Sequence, residues 1–207
     1  QSQINPHFLF NSLNAGAQLA MMEDAEKTSI FVEKMADFFR YNVKKGEEDA
    51  TLEEELEAVD NYIYILNVRF AGDIHFSKKV ECDVENVRVP SMILQPVVEN
   101  AVNHGIRNID WEGHIDLSVE KWNDHIEISV RDNGLGMTGE LSKKVHSSSG
   151  EGDSTGIGMN NVISRLELYY ERDGLMEIYS EGEGMGTEVV INIPLERSEK
   201  NVQNPDC

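Results

Sequence analysis

The chain has 207 residues, 40% of them hydrophobic, and its 38 acidic residues against 18 basic ones give a net charge of −20. That length holds one large or two small domains with a real core. The acidic balance argues against a nucleic-acid binder, which needs clustered Lys and Arg to neutralise phosphates, and against docking on an anionic membrane surface.

Taken in chain order, residues 1–71 are predicted helical. Asn5-Pro6 supplies a helix start, with Asn at the cap and Pro in the first turn. The apolar residues Phe8, Leu9, Phe10, Leu13, Leu19 and Met21 follow. A second helix is expected from about Asp24 to Val43, with Ile30, Phe31, Met35, Phe38 and Phe39 at helical spacing, and Lys44-Lys45-Gly46 stops it. Thr51-Leu-Glu-Glu54 is a capping box for a third helix running through Leu56, Val59, Ile63, Leu66 and Phe70, with Glu53, Glu54 and Glu55 favouring the positive end of its dipole. Three broad apolar faces need cover, which predicts a helical bundle formed by a dimer.

The period then changes. Ile74 to Val80 alternates like a strand, Pro90 to His104 reads as a helix, and Ile115–Val119 and Ile126–Val130 alternate about an Asn123-Asp124 turn. Residues 138–155 are polar and rich in Ser and Gly, the composition of a mobile loop. A helix is expected over Gly156–Tyr170, then strands at Met176–Tyr179 and Glu188–Ile193. The predicted fold class is therefore α+β: a helical module over 1–71, a two-layer α/β sandwich over 72–196, and a polar, disordered tail over 197–207.

The chemistry-bearing residues lie mostly in the second unit. Asp132-Asn-Gly-Leu-Gly-Met137 ends a strand. Read alone it is a turn; read chemically, its carboxylate accepts from an amino group such as adenine's, and its glycines let a flat base approach the backbone. Thr155-Gly-Ile-Gly-Met-Asn-Asn161 opens a helix, and free N–H groups there favour an anion. It is neither a P-loop nor the full dinucleotide fingerprint. Gly184-Met-Gly-Thr187 precedes the last strand. On the helix after Pro90, the i, i+3 and i+4 spacing sets Asn100, Asn103 and His104 on one face, and an Asn amide oxygen suits Mg²⁺.

Together these motifs resemble the ATP-binding domain shared by DNA gyrase, MutL and histidine kinases, over residues 72–195. The resemblance implies that Asn100 binds Mg²⁺, that Asp132 binds adenine with help from Thr187, that Gly134, Gly136, Gly156 and Gly158 shape the pocket, and that residues 138–155 are the ATP lid. Gyrase-like members that hydrolyse ATP carry a Glu four residues before the Asn. Here Pro96 stands there, beside Gln95, and neither serves as a base.

Another nucleophile is then wanted. His7, Asn11, Asn14 and Gln18 fall on one polar stripe of the first helix. By itself that stripe is a solvated seam with a surface histidine; beside an ATP site, a neutral imidazole is a competent nucleophile. The string Asn5-Pro-His-Phe-Leu-Phe-Asn11 followed by Ser-Leu-Asn14, with Phe39-Arg40-Tyr41, Tyr62, Arg69-Phe70 and Leu94-Gln95-Pro96-Val-Val-Glu-Asn100, resembles the LytS-like sensor histidine kinases over residues 3–195. That implies His7 as phosphoacceptor, ATP and Mg²⁺ as cofactors, a homodimer, a response-regulator receiver domain as partner, no nucleic-acid ligand, and a cytoplasmic location beneath a membrane-anchored sensor region missing from this fragment, which opens at Gln1 without Met.

Two positions depart from many histidine kinases. Phe8 replaces the acidic residue after the histidine, which leaves the base unassigned. Asn103 replaces a Lys, which leaves phosphate contacts to other groups such as Arg107. Asn11, one turn beyond His7, is a candidate for positioning the water that dephosphorylates the partner. The alternatives are an ATP-binding regulator that leaves His7 unused and an ATP-hydrolysing clamp. Cys82 and Cys207 share no metal spacing and build no disulfide framework.

Overall fold

The computed structural model describes residues 6–44, 49–70, 74–107, 109–137 and 154–195, the side chains of residues 6–10, 44 and 154–157 excepted. Of the expected lid over 138–155, residues 138–153 lie outside them, as do the tail over 197–207 and the cap at Asn5, while Ser154 and Thr155 open a helix expected to begin at Gly156.

Helices α1 (Pro6–Met22) and α2 (Glu26–Lys44) follow one another across a short turn. Asp24 sits there at φ 57° and Ala25 N–H donates to Ala20 O at 2.8 Å, so the chain reverses into an αα-hairpin. Strand β1 (Asp49–Thr51) runs straight into α3 (Leu52–Arg69). The capping box is formed. Thr51 Oγ1 accepts from Glu54 N–H at 3.1 Å, and Glu54 Oε2 accepts from Thr51 N–H at 2.9 Å.

After β2 (Ile74–Val80) comes β3 (Arg88–Pro90), which pairs antiparallel with β1. Neither β1 nor β3 is predicted, because three residues carry no periodicity to read. The helix expected from Pro90 begins instead at Leu94. Pro90 ends β3, and Met92 at φ 64° turns the chain before α4 (Leu94–Asn100). That helix continues as a wider π-helical turn over Ala101–Ile106. Strands β4 (Gly113–Lys121) and β5 (His125–Asp132) form the predicted hairpin. Helix α5 (Ser154–Tyr170), β6 (Met176–Tyr179) and β7 (Thr187–Pro194) complete the chain.

The main sheet has the order β2-β4-β5-β7-β6, with only the β2–β4 pair parallel. Alternate residues of β5 and β7 are buried, so one face is covered and the other is open, the pattern of a two-layer α+β unit. Ile115, Leu117, Ile128 and Ile191 from the sheet share one core with Val97 and Val98 of α4 and Val162 and Leu166 of α5. Leu52, Leu56, Val59, Ile63 and Leu66 of α3 lie in that same core. The boundary expected at residue 71 therefore falls inside a continuous core, because an amphipathic helix signals a buried face without naming what buries it. Among the described residues, no helix is long and apolar enough to cross a membrane.

Candidate nucleotide-binding site

The site is built where β5 ends. Asp132 lies opposite Thr187, the first residue of β7, and both side chains are buried, at 5% and 8% exposure. Asp132 Oδ1 accepts from Gly134 N–H at 2.9 Å. Burial pushes the Asp132 carboxyl above the usual carboxylate range, and backbone N–H groups of Gly134 and Thr187 partly offset that. A carboxylate has more lone-pair positions than these donors fill, so it can still accept from an amino group.

Glycines bring three chain segments together at Asp132. A Cβ on Gly105 would lie 2.7 Å from Asp132 Cγ, one on Gly134 would lie 2.1 Å from Gly105 O, and one on Gly186 would lie 2.0 Å from Asp132 O. Only hydrogen atoms fit in these gaps, so any other residue forces the segments apart. Hydrogen bonds hold the arrangement: Leu135 N–H to Gly105 O at 3.0 Å, Gly186 N–H to Gly134 O at 3.1 Å and Gly184 N–H to Leu135 O at 2.6 Å. Ser180 bridges the same loops, accepting from Met137 N–H at 2.9 Å and donating to Gly186 O at 2.7 Å. Asn133 ties in the strand that precedes β5. Its side chain accepts from His114 N–H at 2.8 Å and donates to Glu112 O at 2.9 Å.

Of the residues singled out in the sequence, the structure brings Asp132, Gly134, Gly136 and Thr187 together at the end of β5, joined by Gly105 and Ser180, which were not singled out, and by Asn133 and Gly186, which lie inside the quoted strings. Gly186 lies inside the quoted Gly-x-Gly-Thr string, so its signal was present. Gly105 directly follows His104 on a helix, and a helical glycine is the signal that went unused. The π turn also alters the face read for α4. Its longer i→i+5 hydrogen bonding brings His104, rather than Asn103, back over Asn100. Asn100 is half-buried, and Asn103 and His104 are exposed. Gly156 and Gly158 lie in the first turns of α5, which begins at Ser154, and Gly158 is exposed with no atom near a Cβ built there. The side chain of His7 lies outside the described residues; its backbone is part of α1.

The residues present suit ATP: a buried acceptor at a strand end, a cradle free of Cβ atoms beside it, and a glycine-bearing helix start. Among the described residues, no group of three or more His, Cys, Asp or Glu is placed to hold a metal ion. A single amide oxygen such as that of Asn100 suits Mg²⁺ only when phosphate oxygens complete the shell, so the ion fits as a companion of the nucleotide. A cavity of about 580 Å³ beside the π turn, lined by Phe70, His75, Val102, Ile106, Arg107 and Trp111 among others, includes neither Asp132 nor Thr187 and is separate from this site.

Comparison with known proteins agrees with this geometry. A family model described as histidine kinase matches residues 1–74, and one described as histidine kinase-, DNA gyrase B-, and HSP90-like ATPase matches residues 89–197. Sensor histidine kinase YpdA of Escherichia coli (strain K12) is 33% identical over 207 residues, which is 96% of this chain and 34% of YpdA. Sensor histidine kinase/phosphatase LytS of Staphylococcus aureus (strain MRSA252) is 32% identical over 203 residues, 97% of this chain and 34% of LytS. The chain thus spans about a third of the length of the curated relatives it matches. Among solved structures, the histidine kinase domain of a blue-light activated kinase from Erythrobacter litoralis is 18% identical, with a TM-score of 0.52 over 92% of this chain and 94% of that one, a likeness of fold. The chain belongs to the family of histidine kinase-, DNA gyrase B- and HSP90-like ATPases and, within it, to the LytS-like sensor histidine kinases.

Proposed function

We propose that this chain is the kinase core of a two-component sensor: it binds Mg²⁺-ATP at Asp132, phosphorylates His7, and passes the group to an aspartate of a response-regulator receiver. The observation that carries the reading is the coexistence, in one chain, of a glycine-walled acceptor site at Asp132 and a histidine kinase helical segment bearing His7. The adenine amino group donates to Asp132, with Thr187 beside it. Gly134 and Gly136 shape the pocket by letting its loops pack closely, and Gly156 and Gly158 shape it at the start of α5, beside the lid proposed over 138–155. Asn100 would hold Mg²⁺, which would neutralise phosphate charge, and Asn103 and His104 would contact the nucleotide. An imidazole nitrogen of His7 forms the N–P bond to the γ-phosphorus as the P–O bond to ADP breaks. The electron pair leaves with ADP, and the imidazole gives up its proton. Such transfer rests on positioning and charge neutralisation. Asn11 positions the water that dephosphorylates the partner receiver.

Several features support the remaining elements. Leu19, Met21 and Met22 are exposed on α1 at 56%, 53% and 83%, an apolar surface that a second copy of the hairpin would cover to give a homodimer. In this reading residues 1–71 supply dimerisation and the phosphoacceptor, 72–196 supply ATP, and α3 is shared by both cores. The parent protein is anchored in the membrane by a preceding region, with this part in the cytoplasm. The test is incubation with Mg²⁺ and γ-labelled ATP. Wild type should acquire acid-labile, base-stable label that His7→Gln lacks. Nucleotide binding without label in either protein would favour a regulator, and phosphate release without phosphoprotein would favour a hydrolase.

A further inference from the structure

The acidic start of α3 does more than complement its own dipole. Glu55 is fully buried, and its carboxylate points away from α3 to the start of α4. Oε1 accepts from Met92 N–H at 2.5 Å, and Oε2 accepts from Ile93 N–H and Leu94 N–H, each at 2.9 Å. Helix α4 has no cap of its own: Ile93 stands at its N-cap without a side-chain hydrogen bond. Glu55 therefore fills the unpaired donors of a helix elsewhere in the chain. The remaining position on Oε1 is taken by the hydroxyl of Tyr41 on α2. Two oxygens with about four lone-pair positions thus meet four donors, which leaves no place for a proton and calls for the ionised form, even though burial alone pushes this carboxyl up. Burial first, then the charge of Glu55, push the Tyr41 hydroxyl up as well, so it remains a donor.

The position of Tyr41 gives this bond its interest. A Cβ on Gly16 would touch Val32 Cγ1 at 3.8 Å, which sets the register of the antiparallel hairpin. The same number of steps outward along each helix, from 16 to 7 and from 32 to 41, brings the backbone of Tyr41 level with that of His7. A second contact runs beside the first. Phe38 of α2 stacks on Tyr62 of α3 with centroids 5.9 Å apart. Burial, and next the charge of Glu99, push the Tyr62 hydroxyl up to about 12.

We propose that Tyr41 and Glu55 are positioning residues that tie the phosphoacceptor level of the hairpin to the helix carrying Asn100, so that phosphoryl transfer, more than nucleotide binding, depends on the Tyr41 hydroxyl. The inference rests on the proposed kinase reading, and two readouts keep them apart. Labelling of the wild-type chain reports the reading itself. The ratio of Tyr41→Phe to wild type reports the tie. Tyr41→Phe removes one oxygen and keeps the ring packed. Its autophosphorylation kcat should fall by about tenfold or more while the KM for ATP stays within about twofold, the pattern of lost positioning rather than lost binding. Hydrogen exchange of the amides of residues 92–106 should quicken in the same variant, a readout that needs no kinase activity. An unchanged or raised kcat, a parallel loss of ATP affinity and rate, or unchanged exchange over 92–106 would each overturn the proposal.

Discussion

Asp132 carries a cost that its proposed ligand explains. Its carboxyl is buried and raised above the ordinary range, so the folded chain binds this proton more tightly than the unfolded chain does. Stability contributed by the protonated form is then lost as pH rises from the unfolded value to the folded one, and above both the full desolvation cost is present. Asp132→Asn removes the charge and that cost. At neutral pH the variant should melt at or above the wild-type temperature. Its affinity for a fluorescent ATP analogue should nonetheless fall by about tenfold or more, because with Oδ1 held by Gly134 N–H the new amide N–H₂ would face the adenine amino group. In the wild type, affinity should decline as pH drops through the raised value, at a higher pH than an ordinary aspartate would give. Affinity indifferent to both the substitution and pH would remove Asp132 from the adenine site. Asp132 stands out in the sequence because its motif is local. That of Gly105 was not, since its missing Cβ matters only where a helix end meets a turn that lies 27 positions further on, at Asp132.

Among the elements, the start of α3 shows what local spacing can and cannot say. The capping box at Thr51 is read directly from Thr-x-x-Glu, and it forms as read. Thr51→Ala should cost about 1 kcal/mol and lower the melting temperature by about 2–4 °C for a chain of this size, with nucleotide affinity retained. A thermal melt showing no shift would mean that β1, paired with β3, already holds the helix start. The neighbouring run Glu53-Glu54-Glu55 reads as three solvated charges favouring the dipole. Glu54 completes the box, but Glu55 turns inward to α4, because 3.6-residue spacing rotates it to the buried face alongside Leu52 and Val59. The short strands and the π turn were illegible for a related reason. Pairing between segments 39 positions apart, Asp49–Thr51 with Arg88–Pro90, leaves no trace in three residues of sequence. A wider helical turn differs from an α-turn only in which carbonyl each N–H meets.

At the scale of the whole molecule, the question is where the ATP-binding unit begins. The helices themselves were legible from periodicity, and so was the change to alternating strands after residue 72. The allegiance of α3 was not. Its apolar face meets α4 and β2 as well as the hairpin, and its five buried side chains Leu52, Leu56, Val59, Ile63 and Leu66 complete the core under the sheet. Each such side chain contributes about 1.5–3 kcal/mol on burial, so their removal costs roughly 10 kcal/mol. That equals the entire stability of an ordinary domain, about 5–15 kcal/mol. Loss of Glu55 would also strip α4 of its cap. A fragment of residues 49–207 should therefore fold, melt cooperatively and bind nucleotide, whereas residues 72–207 should be unfolded by circular dichroism and bind none. Folding and binding by the shorter fragment would assign α3 to the hairpin. The longer fragment lacks Tyr41 yet keeps the three backbone N–H donors to Glu55, so its α4 stays capped without any link to the hairpin. Nucleotide affinity close to that of the whole chain is then the expected result, and it would separate the binding of ATP, a property of the sheet unit with α3, from the transfer of its phosphoryl group, a property of both parts held in register.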